Sequence, residues 1–222
     1  MIFPSLRSAR LRAGWTALCC ALLAFAACDD GTMSATSGGG RAPGAPLLDL
    51  GTGGGDTPGG GVGGGAVDPG SVTIPPEEYC APAASWAGTD TELELEVVRI
   101  VNERRAVGGN CPDGSSHGPS SPLAVNGVLT CAARIHTLDM NARSYFSHVS
   151  PEGGSPGDRL AQAGYAGGGW GENIARGYPT AEAVVDGWMS STTGHCANIL
   201  NAGFRSIGVG HQDTTWTQVF GR

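Results

Sequence analysis

The chain has no lysine: all thirteen of its basic residues are arginine, set against twenty aspartates and glutamates. The first 27 residues hold three of those arginines and no acid, so without them the formal charge moves from −7 to 10 − 20 = −10. A chain this acidic, with no basic stripe, repels phosphate backbones, which excludes nucleic acid as a partner. Nor is there an apolar run of the ~20 residues that a permanent membrane span requires; the longest candidate, Ala13 to Ala26, falls short. No C-x-x-C pair offers the close ligand spacing of a structural zinc site, and no H-E-x-x-H is present.

Glycine is what the chain has in excess, 38 residues, together with 14 prolines. Sixteen of the 44 positions from Asp29 to Val72 are glycine. Such a stretch has too little apolar surface to offset its ordering entropy, so residues 28–78 read as a disordered tether. At flexible-chain dimensions its 44-residue glycine-rich part spans roughly 35–40 Å. About 145 residues remain, the size of one domain. Ahead of the tether, Arg7, Arg10 and Arg12 precede the apolar stretch, and small residues lead into Cys28, the pattern of a signal peptide over residues 1–27. Leu22-Leu23-Ala24-Phe25-Ala26-Ala27-Cys28 resembles a bacterial lipobox, with Phe25 where leucine is usual. That resemblance makes Cys28 the lipidated residue and the membrane a partner through the lipid; cleavage near Ala26 or Ala27 and release of a secreted protein is the alternative. Cys19 and Cys20 leave with the signal. Cys80, Cys111, Cys131 and Cys196 remain, an even number that suggests two disulfides in an oxidising compartment, with three connectivities open.

Periodicity places the elements. Leu93, Val97, Ile100 and Val101 form a helical stripe that Thr91 can cap, with Arg104 and Arg105 in the last turn. Leu129, Ala132, Ala133, His136 and Met140 mark the buried face of a second helix starting near Asn126. A short helix is expected at Asp158–Ala163, stopped by Gly164, and another after Thr180, bearing Val184, Val185, Trp188 and Met189. Ser206–Gly210 and Thr215–Phe220 read as strands. Helices before and between short strands suggest a layered α+β domain.

Several motifs then follow in order: Leu129…Ala132-Ala133…His136…Asp139-Met140, Phe146-Ser147-His148, Gly171-Glu172-Asn173-Ile174-Ala175, and Trp188-Met189-Ser190-Ser191. After these come Gly194-His195-Cys196-Ala197-Asn198-Ile199, Ile207-Gly208-Val209-Gly210 and Trp216-Thr217-Gln218. The series resembles bacterial domains of the CAP superfamily, named for cysteine-rich secretory proteins, antigen 5 and pathogenesis-related 1 proteins. The resemblance implies a three-layer α-β-α sandwich with a small antiparallel sheet over residues 92–222. Residues 79–91 form a lead-in segment clipped by a disulfide. Cys111–Cys196 with Cys80–Cys131 is the favoured pairing, because Cys80 lies outside the recognised domain and would tie the lead-in segment to a helix. It also implies a shallow cleft with two histidines and two acids. His148, Glu172 and His195 match three of these, and Ser191 stands where the second glutamate is usual.

Two imidazoles and a carboxylate can hold a divalent metal such as zinc, since His₂Glu with an open position is a catalytic-zinc ligand set. They can equally serve as acid and base in a hydrolase. A third reading is a hydrogen-bonded cluster that ties loops to the sheet. Serine at 191 removes one acceptor and weakens the metal and acid–base readings. The leading expectation is a non-catalytic, exported cell-envelope module that binds a lipid, an envelope polymer or a protein; the alternative is a metal-dependent or acid–base hydrolase using the same cleft. His136 reads as a satisfied core residue, His117 and His211 as loop residues, and Asn173 and Asn198 as structural. Gly153-Gly154-Ser155-Pro156-Gly157 spells G-x-S-x-G, but Pro156 has no N–H for an oxyanion. Gly59, Gly61 and Gly64 fit a dinucleotide fingerprint only inside low complexity. Cys196 beside His195 reads as a disulfide partner rather than a nucleophile.

Overall fold

The computed structural model describes residues 33–36, as backbone, and residues 72–222. The expected signal peptide over 1–27, the expected lipidation site at Cys28 and most of the expected tether lie outside the described residues. Eleven tether positions do not: residues 72–78 are described, and Met33–Thr36 form a strand, β1. Among the described residues no helix is long and apolar enough to cross a membrane.

A 3₁₀ turn at Glu78–Cys80 and a short helix α1 (Ala81–Ala84) lead into α2, Gly88–Val107. α2 begins before the expected start. Ala87 is extended, and Thr91 is not the cap but lies inside the first turn, its hydroxyl donating back to the Ala87 carbonyl at 3.2 Å. Nothing in Gly88-Thr89 stops a helix, and Asp90 places negative charge where the helix dipole favours it. α3 (Gly127–Ala142) is capped as its sequence suggests: Asn126 Oδ1 accepts the N–H groups of Val128 and Leu129 at 2.9 and 3.1 Å. α4 (Pro156–Gln162) starts at a reciprocal capping box between Ser155 and Asp158, two residues ahead of the expected Asp158. That cap is the role of the serine in the G-x-S-x-G decoy. Thr180 caps α5 (Ala181–Met189), and α6 (His195–Leu200) follows.

The sheet has the order β1-β5-β7-β6-β4, with β4 at Ala124–Val125, β5 at Gly169–Arg176, β6 at Ser206–Gln212 and β7 at Thr215–Gly221. All pairings are antiparallel except β4 with β6. β2 (Gly109–Asn110) and β3 (Ser116–His117) make a separate small pair. Alternation along the strands separates two apolar layers. Trp216 and Phe220 of β7, with Ile207 and Val209 of β6, pack against Val97 and Val101 of α2, Val185 and Trp188 of α5, and Ile199 of α6. Val219 instead joins Leu129, Ala132 and Ala133 of α3 and Leu160 of α4. This is the expected α-β-α sandwich. The Ile-Gly-Val-Gly run follows from it. A Cβ on Gly208 would come within 2.2 Å of the α3 backbone at Leu129, and one on Gly210 within 2.6 Å of Ala133, so only glycine lets helix and strand approach this closely.

Both expected disulfides are present. Cys80–Cys131 fastens the 3₁₀ turn to α3, and Cys111–Cys196 fastens the loop after α2 to the first turn of α6. Arg105 plays a part its position as a last-turn cation does not suggest. It is fully buried and donates to the carbonyls of Ser121, Ile199, Asn201 and Phe204, satisfying the open end of α6.

Candidate functional site

Glu172 sits mid-strand on β5, 1% exposed. His148 comes from the turn-rich segment after α3, 3% exposed, and its Nδ1 lies 2.7 Å from Glu172 Oε1. The same carboxylate accepts from Arg159 of α4, whose Nη2 is 3.0 Å from Oε1 and 2.9 Å from Oε2 and also donates to the His148 carbonyl at 2.9 Å. One guanidinium therefore fixes both the acid and the backbone of its imidazole partner. The capping box that starts α4 sets the direction from which Arg159 enters.

His195 opens α6 and is 2% exposed, with Nδ1 2.9 Å from Ser191 Oγ. Ser191 thus lacks the charge of the expected glutamate but keeps its hydrogen bond to the second histidine. Its Oγ also accepts from the Thr193 N–H at 3.1 Å. Two asparagines join the halves. Asn198 Nδ2 donates to Asn173 Oδ1 at 2.9 Å and to the Glu172 carbonyl at 3.4 Å; Asn173 Nδ2 donates to the His195 carbonyl at 3.2 Å and to Gln218 Oε1 at 3.0 Å. The structure therefore joins His148 to Glu172 directly and His195 to Glu172 through side-chain amides. All three lie almost wholly beneath the surface rather than lining an open groove.

Burial alone would raise the Glu172 carboxyl, but His136, the His148 hydrogen bond and Arg159 outweigh it and hold it down to about 2. His136 is buried on α3 as expected, with a backbone hydrogen bond to Ser147 and with Nε2 4.0 Å from Glu172 Oε1. Burial, partly opposed by Glu172, pushes its imidazole down to about 4. His211 is not a loop residue. It lies on β6, buried, with Nδ1 2.8 Å from Asp90 Oδ1 and Nε2 2.8 Å from the Asp213 carbonyl. His117 ends β3, its Nε2 3.0 Å from Ser115 Oγ.

Arg159 is the site residue that the sequence reading missed. The available signal was a lone arginine on the inner face of a short capped helix in an acidic chain. As a metal centre the donor set fits poorly, because both Glu172 oxygens are already engaged and a fixed guanidinium charge stands beside them. Among the described residues no three His, Cys, Asp or Glu side chains are grouped to hold a metal ion.

Residues 98–220 match the family described as "CAP: Cysteine-rich secretory protein family". Among curated proteins, "Uncharacterized protein YkwD" of Bacillus subtilis (strain 168) is 40% identical over 129 residues, 57% of this chain and 46% of that protein. "Uncharacterized membrane protein YlbC" of the same organism is 41% identical over 85 residues, 38% of this chain and 24% of that protein. The chain thus spans less than half the length of either relative. Among solved structures, an extracellular protein containing a SCP domain from Bacillus anthracis str. Ames aligns with a TM-score of 0.53 at 31% identity, over 60% of this chain and 41% of that one. Motif order, sandwich and family match agree, and the chain belongs to the cysteine-rich secretory protein (CAP) family.

Proposed function

We propose that this is an exported cell-envelope protein, anchored through a lipid on Cys28, whose CAP domain is a non-catalytic binding module for a lipid, an envelope polymer or a protein. The observation that carries the non-catalytic part is the engagement of Glu172. A general base needs a carboxylate with a lone pair facing substrate, and a metal ligand needs one facing the ion. Here both oxygens are bonded to Arg159 and one also to His148, inside the protein. The cluster acts as a rigid floor that positions the loops around His148 and α6. Two buried disulfides support export, since such bonds persist in oxidising compartments. The signal-like N-terminus supports it too.

Cosedimentation of the full chain with anionic lipid vesicles and with purified envelope polymer tests the module. A His148→Ala/His195→Ala protein that keeps its melting temperature and loses sedimentation supports the reading; unchanged sedimentation removes the cleft from it. Zinc up to millimolar concentration should leave the melting temperature unmoved, and a stabilisation of several degrees would reinstate a metal centre. One contact favours the hydrolase reading: Ser191 Oγ lies within hydrogen-bond reach of His195, the relation of a nucleophile to its base. Hydrolysis of an ester substrate lost specifically in Ser191→Ala would establish it.

A further inference from the structure

Cys131, Ile135 and Asp139 follow one another at i+4 spacing along one face of α3, with Arg143 next in the same row at the helix end. The Cys80–Cys131 disulfide draws the 3₁₀ turn onto that face and sets Tyr79 beside it. On α4, Asp158 and Gln162 are likewise four positions apart. These rows, with Tyr79, Arg159 and the turn at 150–154, line a cavity of about 230 Å³.

Its charges balance, Arg143 and Arg159 against Asp139 and Asp158. Arg143 is paired with Asp139 and Glu152, and Arg159 with Glu172, so no cation is left over for an anion. Hydrogen-bonding groups are left over. Tyr79 is half-buried, and among the described residues no group bonds its hydroxyl. Burial, opposed by Arg159, raises that hydroxyl to about 12, so it stays a phenol. Arg159 commits Nη2 to Glu172 and the His148 carbonyl, while Nη1 makes one long contact, 3.4 Å to the Gly154 carbonyl, and keeps an N–H to spare. Asp139 Oδ2 accepts from Arg143 and Tyr145, and Asp158 Oδ2 from Ser155. Among the described residues no hydrogen bond reaches Oδ1 of either acid, and none reaches the exposed Gln162 amide.

A cavity below the roughly 300–1,000 Å³ of sites for drug-sized ligands holds a single ring. Its polar walls offer little to an acyl chain, and its balanced charge offers little to a phosphate. Open acceptors set beside open donors suit a ring edged with hydroxyls, because each hydroxyl both donates and accepts. Ile135 supplies one apolar wall for the C–H face of such a ring. We propose that this cavity is a binding site for one neutral sugar ring, the unit through which the module engages an envelope polymer. Tyr79, Arg159, Asp139, Asp158 and Gln162 are its polar contacts. The inference rests on the binding-module reading and deepens it, choosing the polymer among the possible ligands. It places the contact on the α3–α4 face instead of at His148 and His195. Arg159 links the two, since its other nitrogen holds Glu172.

The test titrates the full chain with glucose, N-acetylglucosamine and the β-1,4-linked tetramer of each at millimolar concentration, read by amide resonances. At least one sugar should shift the amides of Tyr79, Asp139 and Gln162, and inorganic phosphate at the same concentration should not. Tyr79→Phe and Gln162→Ala should each keep the melting temperature and weaken that sugar's affinity by about three- to tenfold, the loss of one hydrogen bond. No shift with any of the four sugars, equal affinity in the wild type and both variants, or a shift with phosphate alone would overturn the proposal. Sedimentation with envelope polymer in a chain that binds no sugar removes this cavity and leaves the module reading standing. Sugar binding in a chain that sediments with neither vesicles nor polymer removes the module reading and leaves the sugar site standing.

Discussion

Two buried glutamates each face an arginine, and their surroundings set them apart. Glu94 of α2 meets Arg134 of α3 at 2.6 Å and accepts the His211 N–H at 2.9 Å; burial, opposed by Arg134, pushes it up to about 7. Glu172 meets Arg159 at 2.9 Å, with His148 bonded and His136 nearby, and is held at about 2. Around Glu94 burial outweighs Arg134, whereas around Glu172 the neighbouring imidazoles and Arg159 together outweigh burial. Arg134 spreads its remaining donors over the Ala83 carbonyl and Thr91, so its pair clamps α1, α2 and α3 together. Arg159 spreads its own over the His148 backbone, so its pair builds the site.

The largest expected effect strikes both pairs. Arg134→Met and Arg159→Met each leave a buried carboxylate without its cation and should cost about 3–5 kcal/mol in urea denaturation. Glu94→Gln should then cost clearly less than Glu172→Gln, because Glu94 is the carboxyl nearer to protonation. Equal costs would erase the distinction. Next, Cys111→Ala/Cys196→Ala and Cys80→Ala/Cys131→Ala should each lose about 2–4 kcal/mol. Only the first pair, which holds the start of α6, should also move the His195 imidazole resonances.

The pH dependence separates the two regions by sign. The Glu172 and His136 values are depressed on folding, so the stability they contribute is complete above about 6.5 and falls away with acid. It falls first as pH drops toward the His136 value of about 4 and then toward the Glu172 value of about 2. The Glu94 value is raised, so its contribution is complete below about 4.5 and is lost as pH rises through about 7. His136→Leu should flatten the acid limb, and Glu94→Gln the limb between pH 5 and 7, each by on the order of 1–3 kcal/mol in chemical-denaturation series at stepped pH. The smallest effect is Ser191→Ala, about 1 kcal/mol, from the loss of the contacts to His195 and Thr193.

The sandwich and its main helices were legible because apolar periodicity, caps and strand alternation repeat over many residues. Asn126 and Thr180 cap where their chemistry suggests, and the stripe from Leu129 to Met140 is the buried face of α3. β5 was not legible as a strand. Its Gly-Trp-Gly-Glu-Asn run lacks alternation because it is covered on both faces, so its polar residues are buried by partners far away in sequence. The His148–Glu172 contact follows the family motifs. Its arginine does not, because a single Arg159 has no local pattern that separates a buried partner from a solvated one. The same holds for His211, which a Gly-His-Gln-Asp context assigns to a loop until β6 is seen to extend through it. The strand at 33–36 lies in a glycine-rich context where composition outweighs four residues of weak alternation.

Glu172 is an internally satisfied carboxylate, and the ¹³Cδ resonance of that side chain followed from pH 7 to pH 3 tests this directly. A shift that stays at the ionised value across that range is the result expected of a group bound by Arg159 and His148. A titration centred at or above pH 5 would show a proton-exchanging acid instead, and the non-catalytic reading of the cleft would fail.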